Sequence, residues 1–272
     1  MRKIVRILIL GAGKMGRWLS DSLCLDEETA VFDTDKTKLK YLFNVRRLTD
    51  GNEIREFNPE LVINAAGLSQ TENAFRFAVP FLSSDCILSD IASVKNNLEE
   101  YYKTSGFRFV SSHPMFGPTF ANIGDLRTQT AIIIKESCPE GRAFFKTFYE
   151  KLNVRVFEAG FNEHDRLTAY SLSTPFAATL AFVSCLKPIQ APGTTFKKHM
   201  EIADGLLSED DELLTEILLN KYSAAQITEI EKTLGKLRIW VDNRDASAVK
   251  KYLNELRNDW ETYKNALRNF GK

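Results

Sequence analysis

A glycine pattern lies near the start of the chain, directly after an apolar run at residues 7–10. Its letters match G-x-G-x-x-G, and an amphipathic helical pattern follows it. Asp33 lies 22 residues after the first glycine, at the end of a second predicted strand. A strand, this glycine turn, a helix and an acid about 20 residues further on are together typical of a dinucleotide-binding domain. The residues predicted to contact the dinucleotide are Gly11, Ala12, Gly13, Lys14, Met15, Gly16, Asp33 and Ala66.

The acid at position 33 bears on which dinucleotide is bound. A carboxylate there accepts hydrogen bonds from the adenosine ribose hydroxyls and repels a 2′-phosphate, which favours NAD over NADP. Lys36 and Lys38 weaken this preference, because a flexible lysine can still reach a phosphate. FAD stays a lesser alternative, since flavin enzymes use the same glycine pattern.

Strand patterns alternate with helical patterns up to about residue 158, which indicates an α/β fold with a parallel sheet. The strands are predicted at residues 7–10, 30–33, 61–65, 86–90, 107–111, 131–135 and 154–157. Helical periods alone follow to the C-terminus. The sequence therefore predicts two domains: a Rossmann-like, doubly wound dinucleotide-binding domain over residues 1–160, and an all-helical substrate and dimerisation domain over residues 161–272.

The last helical pattern carries an apolar stripe, which consists of Val249, Leu253, Leu256, Trp260, Tyr263 and Leu267. A helical half rich in leucine and aromatic residues can bury much of its surface against a second copy. We therefore expect a homodimer that forms through the helical domain.

Charge and composition argue against several classes of function. Lys+Arg and Asp+Glu both number 36, so no net positive charge is available to hold nucleic acid or an anionic membrane. No stretch of 18 apolar residues and no export signal is found, which predicts a cytoplasmic protein without a membrane partner. The four cysteines are widely spaced and the three histidines lack metal-ligand spacing, so no metal site is expected.

Polar side chains follow three predicted strands at the edge of the sheet where open α/β folds bind ligands. His113 is the one histidine at such a strand end, and an imidazole there can take a proton from a hydroxyl while a hydride leaves. We predict His113 as the general base, with Ser93 bonding the same hydroxyl or holding the imidazole. For His164 and Asp165, at the start of a long helical pattern, a capping or packing role is expected.

Five segments spread over nearly the whole chain carry a resemblance to a known family: residues 11–16, 90–95, 113–117, 163–165 and 193–197. They read GAGKMG, DIASVK, HPMFG, EHD and GTTFK. With these segments the chain resembles the prephenate/arogenate dehydrogenases of tyrosine biosynthesis. The resemblance implies a dinucleotide-binding domain, a helical domain that dimerises, and an active site between the two.

The resemblance also implies a reaction. NAD accepts the hydride from C4 of prephenate, His113 takes the proton of the C4 hydroxyl, and loss of carbon dioxide gives 4-hydroxyphenylpyruvate. Ser93 matches the family serine that contacts this hydroxyl and the histidine. The predicted substrate-binding residues are Ser93, His113, Thr119, Ser173, Lys198 and His199.

Two positions depart from the family pattern. Ser173 stands where family members carry a histidine, and Glu201 stands where they carry an arginine that pairs with a substrate carboxylate. An acid at position 201 would repel a dicarboxylate unless a neighbour supplies the cation, and Lys198 or His199 is the predicted substitute.

Three alternatives stay open at this point. Arogenate differs from prephenate only in an ammonium group that replaces the keto group, so the ring chemistry would be unchanged. Hydroxyacid and pyrroline-carboxylate reductases combine a dinucleotide domain with a helical one in the same way. A non-catalytic NAD-binding sensor or scaffold is the third alternative, supported only by the departures at Ser173 and Glu201.

Overall fold

The computed structural model describes residues 6–117 and 125–270. Its centre is one sheet of eight strands in the order β3-β2-β1-β4-β5-β6-β7-β8. The strands are β1 (Arg6–Leu10), β2 (Glu28–Phe32), β3 (Arg46–Leu48), β4 (Leu61–Asn64), β5 (Ile87–Asp90), β6 (Arg108–Pro114), β7 (Thr130–Ile134) and β8 (Arg155–Ala159). The predicted α/β class is confirmed, with helices between the strands and helices alone after the last one.

Helices cover both faces of the sheet and follow its last strand, with loops between the elements. They are α1 (Lys14–Leu23), α2 (Lys36–Leu39), α3 (Gly51–Phe57), α4 (Thr71–Ala78), α5 (Leu98–Ser105), α6 (Pro139–Lys151), α7 (Phe161–Thr168), α8 (Thr174–Ser184), α9 (Thr194–Leu207), α10 (Asp211–Leu218), α11 (Ser223–Asp242) and α12 (Ala246–Phe270). A π-helical turn, Ala169–Ser173, joins α7 to α8. No helix among residues 6–117 and 125–270 is long and apolar enough to cross a membrane.

The sheet differs from its prediction in two respects. β3 was not predicted, because two of its three residues are arginines and only Leu48 is buried, at the outer edge beside β2. β7 runs antiparallel to β6, whereas the prediction was a parallel sheet throughout. Antiparallel neighbours need no crossover helix between them, so an alternation of strands and helices does not predict such a pair.

The core lies on both faces of the central strands. Ile7, Leu8 and Ile9 of β1 are completely buried, as a strand covered by helices on each side requires. Trp18 of α1 packs on one face, with its ring edge against Phe148 of α6 at a centroid distance of 5.9 Å. This packing fixes the position of the strand ends that form the site.

The chain divides into two compact units, residues 1–223 and 224–272. The helices α7 to α10 thus belong to the same unit as the sheet, while the predicted domain boundary after residue 160 stays a prediction. The second unit holds most of α11 and all of α12, where the Trp240 and Tyr252 rings pack 5.2 Å apart.

Candidate active site

The glycine turn between β1 and α1 has a conformation that its sequence requires. Gly11 has φ +100°, and a Cβ at this position would lie 2.8 Å from the backbone nitrogen of Ala66. A Cβ on Gly16 would run into the carbonyl oxygen of Gly11. By contrast, no heavy atom lies within 4 Å of a Cβ built on Gly13. Packing therefore explains two of the three glycines, and the third leaves open space beside the backbone.

The open space at Gly13 fits the diphosphate of a dinucleotide. Gly13 is the N-cap of α1 and has no side chain to fill the space before the helix, so an anion can approach the positive end of the helix dipole there. Asp33 stabilises the turn, because its Oδ2 accepts a hydrogen bond from the Ala12 N–H at 2.7 Å. Its Oδ1 accepts one from the Asp35 N–H at 2.8 Å. Each carboxylate oxygen retains a lone pair for a ribose hydroxyl.

A cavity of about 660 Å³ lies at the carboxyl edge of the sheet. The glycine turn and the ends of β4, β5 and β6 form one wall, and α8, α10 and residues 209–210 form the other. Its polar and charged lining residues are Lys14, Ser93, His113, Gln129, Glu209, Asp210 and Glu212. Apolar side chains supply most of the remaining wall, among them Met15, Ile91, Met115, Phe116, Leu172, Phe176 and Leu213.

A buried chain of three side chains begins at this cavity. Nδ1 of His113 lies 2.9 Å from Nε2 of His164, and Nδ1 of His164 lies 3.0 Å from Oδ1 of Asp165. The same Oδ1 accepts the backbone N–H of Lys95 at 2.9 Å. Of the three side chains, only His113 lines the cavity, and His164 is completely buried. The arrangement places a histidine at the cavity with a second histidine and a carboxylate behind it.

A buried ion pair between Lys95 and Asp90 lies next to this chain of three side chains. Nζ of Lys95 donates to Oδ2 of Asp90 at 2.6 Å and to the Ser112 carbonyl at 2.7 Å. Oδ1 of Asp90 accepts the Tyr102 hydroxyl at 2.7 Å. Because Lys95 and Asp90 are both inside the protein, their pairing and hydrogen bonds offset the cost of burying two charges.

Burial sets the protonation of the two histidines. It lowers the pKa of His113 well below its usual value, and the neighbouring His164 and the Lys95 ammonium lower it further. Burial also lowers the pKa of His164, although the hydrogen bond to Asp165 opposes this shift. A histidine with a lowered pKa is neutral near pH 7 and can therefore accept a proton.

The structure brings some of the predicted site residues together. Gly13, Lys14, Met15, Ala66, Ser93 and His113 all line the one cavity. His113 belongs to the end of β6, which extends to Pro114, rather than to the loop after a shorter strand. The hydrogen-bond partner of Nδ1 of His113 is His164. The predicted contact of Ser93 with the substrate hydroxyl or with the imidazole stays a prediction.

Other predicted substrate contacts do not lie on the described cavity wall. Ser173 is buried, where its hydroxyl donates to the Ile217 carbonyl at 2.8 Å and meets the Ser223 hydroxyl at 2.7 Å. Lys198 and His199 are exposed on α9. Thr119 lies outside the described residues. Substrate binding by these four residues stays a prediction.

Two groups of site residues were not predicted. His164 and Asp165 were expected to cap or pack, yet they form the chain behind His113; the EHD segment of the family resemblance was the available signal. The second group is the acidic wall, defined as Glu209, Asp210 and Glu212. Glu209 lies 3.8 Å from the Lys14 ammonium, and Glu212 accepts the Ser69 hydroxyl at 3.0 Å. Nothing in the sequence marked these acids, since they lie far from the glycine turn along the chain.

Comparison with known proteins identifies the nucleotide-binding region. Residues 26–130 match the family described as prephenate dehydrogenase, nucleotide-binding domain. The T-protein of Enterobacter agglomerans is 25% identical over 226 residues, which cover 80% of this chain and 57% of that protein. This chain spans about half the length of the curated relatives it matches.

Solved structures agree in fold. Prephenate dehydrogenase from A. aeolicus, in complex with hydroxyphenyl propionate and NAD+, has a TM-score of 0.81 at 20% identity and covers 95% of this chain and 98% of that chain. Synechocystis arogenate dehydrogenase has a TM-score of 0.68 at 18% identity, with coverage of 95% and 99%. Residues 26–130 are thus similar to the nucleotide-binding domain of prephenate dehydrogenases, and the chain is similar over a longer stretch to proteins described as T-protein and over 137 residues to a probable arogenate/prephenate dehydrogenase.

Proposed function

We propose that this chain catalyses the NAD-dependent oxidative decarboxylation of prephenate to 4-hydroxyphenylpyruvate. The observation that carries the proposal is a buried imidazole, His113, on the wall of the cavity that the glycine turn also lines. Removing a hydride from a carbon that bears a hydroxyl requires a base and a dinucleotide at one place. The family of the nucleotide-binding domain supports the same reaction.

NAD is the proposed cofactor. Gly13 and the N-terminus of α1 would hold its diphosphate, and Asp33 would accept its ribose hydroxyls. Bound there, NAD supplies the hydride acceptor. The carboxylate of Asp33 supports NAD over NADP, because it would repel a 2′-phosphate. The NAD+ in the A. aeolicus structure is consistent with this choice.

His113 acts as the general base in this proposal. Its Nδ1 is engaged by His164, which leaves Nε2 as the ring nitrogen for a substrate hydroxyl. Nε2 takes the hydroxyl proton as the carbon loses its hydride, and the ring becomes aromatic when carbon dioxide leaves. Ser93 lies on the same wall and can bond the same hydroxyl. The apolar wall holds the six-membered ring and excludes water, which strengthens these polar interactions.

Arogenate is a second candidate substrate, and the acidic wall is the observation that favours it. Glu209, Asp210 and Glu212 line the cavity, and no arginine lines it among the described residues. Arogenate carries an ammonium where prephenate carries a keto group, and carboxylates attract an ammonium. Lys14 is the lysine on the described wall, beside Glu209. Both substrates carry two carboxylates, but the ammonium gives arogenate the smaller net negative charge, so the acidic wall repels it less than prephenate.

The test is nicotinamide reduction by the purified protein with prephenate and with arogenate, each with NAD and with NADP. We expect turnover with NAD and prephenate, and loss of most of the rate with NADP because of Asp33. Turnover with arogenate alone would keep the reaction and correct the substrate. If no pair reacts although calorimetry detects NAD binding, the dehydrogenase proposal is wrong, and a non-catalytic nucleotide-binding protein or a reductase for another substrate replaces it.

We also propose that the protein is a homodimer whose contact includes α12. Leu253, Leu256, Trp260 and Tyr263 on its apolar stripe are between 41% and 57% exposed, although all four side chains are large and apolar. A contiguous exposed apolar stripe of this kind is typical of an interface.

Leu256→Glu places a charge on this stripe and should weaken dimerisation by at least about 10-fold in Kd, since burying one leucine contributes roughly 1.5–3 kcal/mol. Sedimentation equilibrium should give twice the 30.9 kDa chain mass for the wild type and a lower average mass for the variant. Glu255→Gln, which changes an exposed position outside the stripe, is the matched control. A monomeric wild type at micromolar concentration would refute the proposal.

A further inference from the structure

The carboxylate at the inner end of the buried chain determines where the histidine protons lie. Oδ1 of Asp165 lies within hydrogen-bond distance of the Lys95 N–H and of Nδ1 of His164. A carboxylate accepts hydrogen bonds, so the Nδ1 of His164 carries a proton. Neutral His164 then has an unprotonated Nε2, which is an acceptor. Asp165 itself is held in place by its backbone, because the Asn220 side chain donates to its carbonyl at 2.9 Å.

The same reasoning assigns the ring proton of His113, the histidine that lines the cavity. The acceptor Nε2 of His164 lies 2.9 Å from Nδ1 of His113, so Nδ1 of His113 is the donor. Neutral His113 therefore has an unprotonated Nε2 directed away from His164, which is the form that a general base needs. One carboxylate thus fixes the tautomers of two imidazoles.

We propose that His164 and Asp165 are positioning residues that form a proton relay behind His113. When Nε2 of His113 receives the substrate proton, its Nδ1 proton moves to Nε2 of His164. His113 ends neutral, with its proton on Nε2, and His164 ends as an imidazolium next to the Asp165 carboxylate. One proton enters the pair and none is lost, so the step needs no further reactant. The relay rests on the proposed function of His113 as base.

The surrounding charges favour the cation on the inner histidine. His113 faces His164 and the Lys95 ammonium, both of which disfavour a positive charge on its ring. His164 also faces Lys95, but Asp165 lies 3.0 Å from its Nδ1 and the Asp90 carboxylate acts on it as well. A buried cation is costly unless it is paired, so the imidazolium is more stable at His164. Transfer to His164 thereby makes His113 a stronger acceptor for the substrate proton.

Nitrogen-15 NMR of histidine-labelled protein tests the relay without turnover. The chain has only three histidines, and His199 is exposed, so the signals of His113 and His164 can be separated. At high pH we expect both buried rings to carry their proton on Nδ1. On acidification, His164 should become the cation while His113 changes to the Nε2-protonated tautomer. If His113 becomes the cation, or if either ring is Nε2-protonated at high pH, the relay is wrong.

Two variants test the kinetic consequence. His164→Gln retains an acceptor for Nδ1 of His113 but cannot hold a second proton, so kcat should fall by about 10²-fold with little change in KM. Asp165→Asn can keep the Oδ1 acceptor while losing the charge, and it should also lower kcat. Glu163→Gln is the matched control, since Glu163 is exposed, faces Lys135 and keeps its helix-capping contact as an amide.

A purely structural role for His164 would give a different result. In that case His164→Gln would keep the wild-type dependence of kcat on pH, and solvent deuterium would slow both proteins equally. The relay predicts a larger solvent isotope effect in the wild type, because two protons move there and one moves in the variant. An inactive wild type with the expected NMR tautomers would refute the proposed reaction and keep only the proton arrangement of the two histidines. An active wild type with other tautomers would refute the relay and keep the proposed reaction.

Discussion

His113→Gln is expected to lower kcat by roughly 10²- to 10⁴-fold, the usual contribution of a general base. Glutamine fills much of the same volume but cannot take a proton from a substrate hydroxyl at neutral pH. The Kd for NAD should stay at its wild-type value, because the diphosphate and ribose contacts lie at the glycine turn and Asp33. Stopped-flow measurement of nicotinamide reduction, together with calorimetric titration of NAD, separates the two effects.

The pH dependence gives this prediction a second check. Burial lowers the pKa of His113, so its neutral form persists when the pH falls below the usual histidine value of 6.5. The wild-type kcat/KM should therefore decline only at a pH clearly below 6.5, and His113→Gln should remove that decline. A variant that keeps wild-type turnover would show that another group is the base, and the assignment of His113 would be withdrawn.

The glycine turn could be predicted completely because its constraints are local. Gly11 and Gly16 contact backbone within the same turn or at the end of the adjacent strand, and Gly13 faces open space where a ligand is expected. Each requirement follows from a short stretch of sequence and a known strand order. The position of His113 on the cavity followed from the same rule about strand ends, although β6 extends farther than predicted.

The hydrogen-bond partner of His113 could not be predicted in the same way. His164 lies 51 residues along the chain, and its contact with His113 depends on how α7 packs against the end of β6. Local rules interpret a histidine followed by an aspartate at a helix start as a cap. Tertiary packing overrides them here, because both side chains are buried: His164 contacts His113 of β6, and Asp165 accepts the Lys95 N–H.

The acidic wall and β3 are two further features that local sequence patterns could not predict. Glu209, Asp210 and Glu212 reach the cavity because α9 and α10 meet there, and their sequence is that of an ordinary charged helix junction. Asp210 also has a structural role, because it caps α10 by accepting the Glu212 N–H. β3 is stabilised by pairing with β2, not by an apolar pattern of its own. In both cases the neighbours in space, not in sequence, give the residues their role.

Lys95→Met is expected to lower the free energy of unfolding by about 3–5 kcal/mol, the usual effect of breaking a buried ion pair. Methionine fills the space of the lysine stem, so most of the loss comes from the charge left on Asp90 and from the unpaired Ser112 carbonyl. Urea denaturation followed by circular dichroism measures the change. Lys103→Met is the matched control, because it breaks an exposed pair with Glu99 and should cost less than about 1 kcal/mol.

The double variant Lys95→Met, Asp90→Asn distinguishes the charge from the packing. Asparagine at position 90 can still accept the Tyr102 hydroxyl while it carries no charge, so the double variant leaves no unpaired ion inside the protein. If the buried charge causes the loss, the double variant should recover most of the stability that Lys95→Met removes. Equal stability of the single and double variants would attribute the loss to packing, to the Ser112 carbonyl and to the Ala92 N–H, which Oδ2 of Asp90 accepts in the wild type. A loss no larger than that of Lys103→Met would mean that Asp90 is not left charged, since a buried unpaired carboxylate cannot be tolerated without cost.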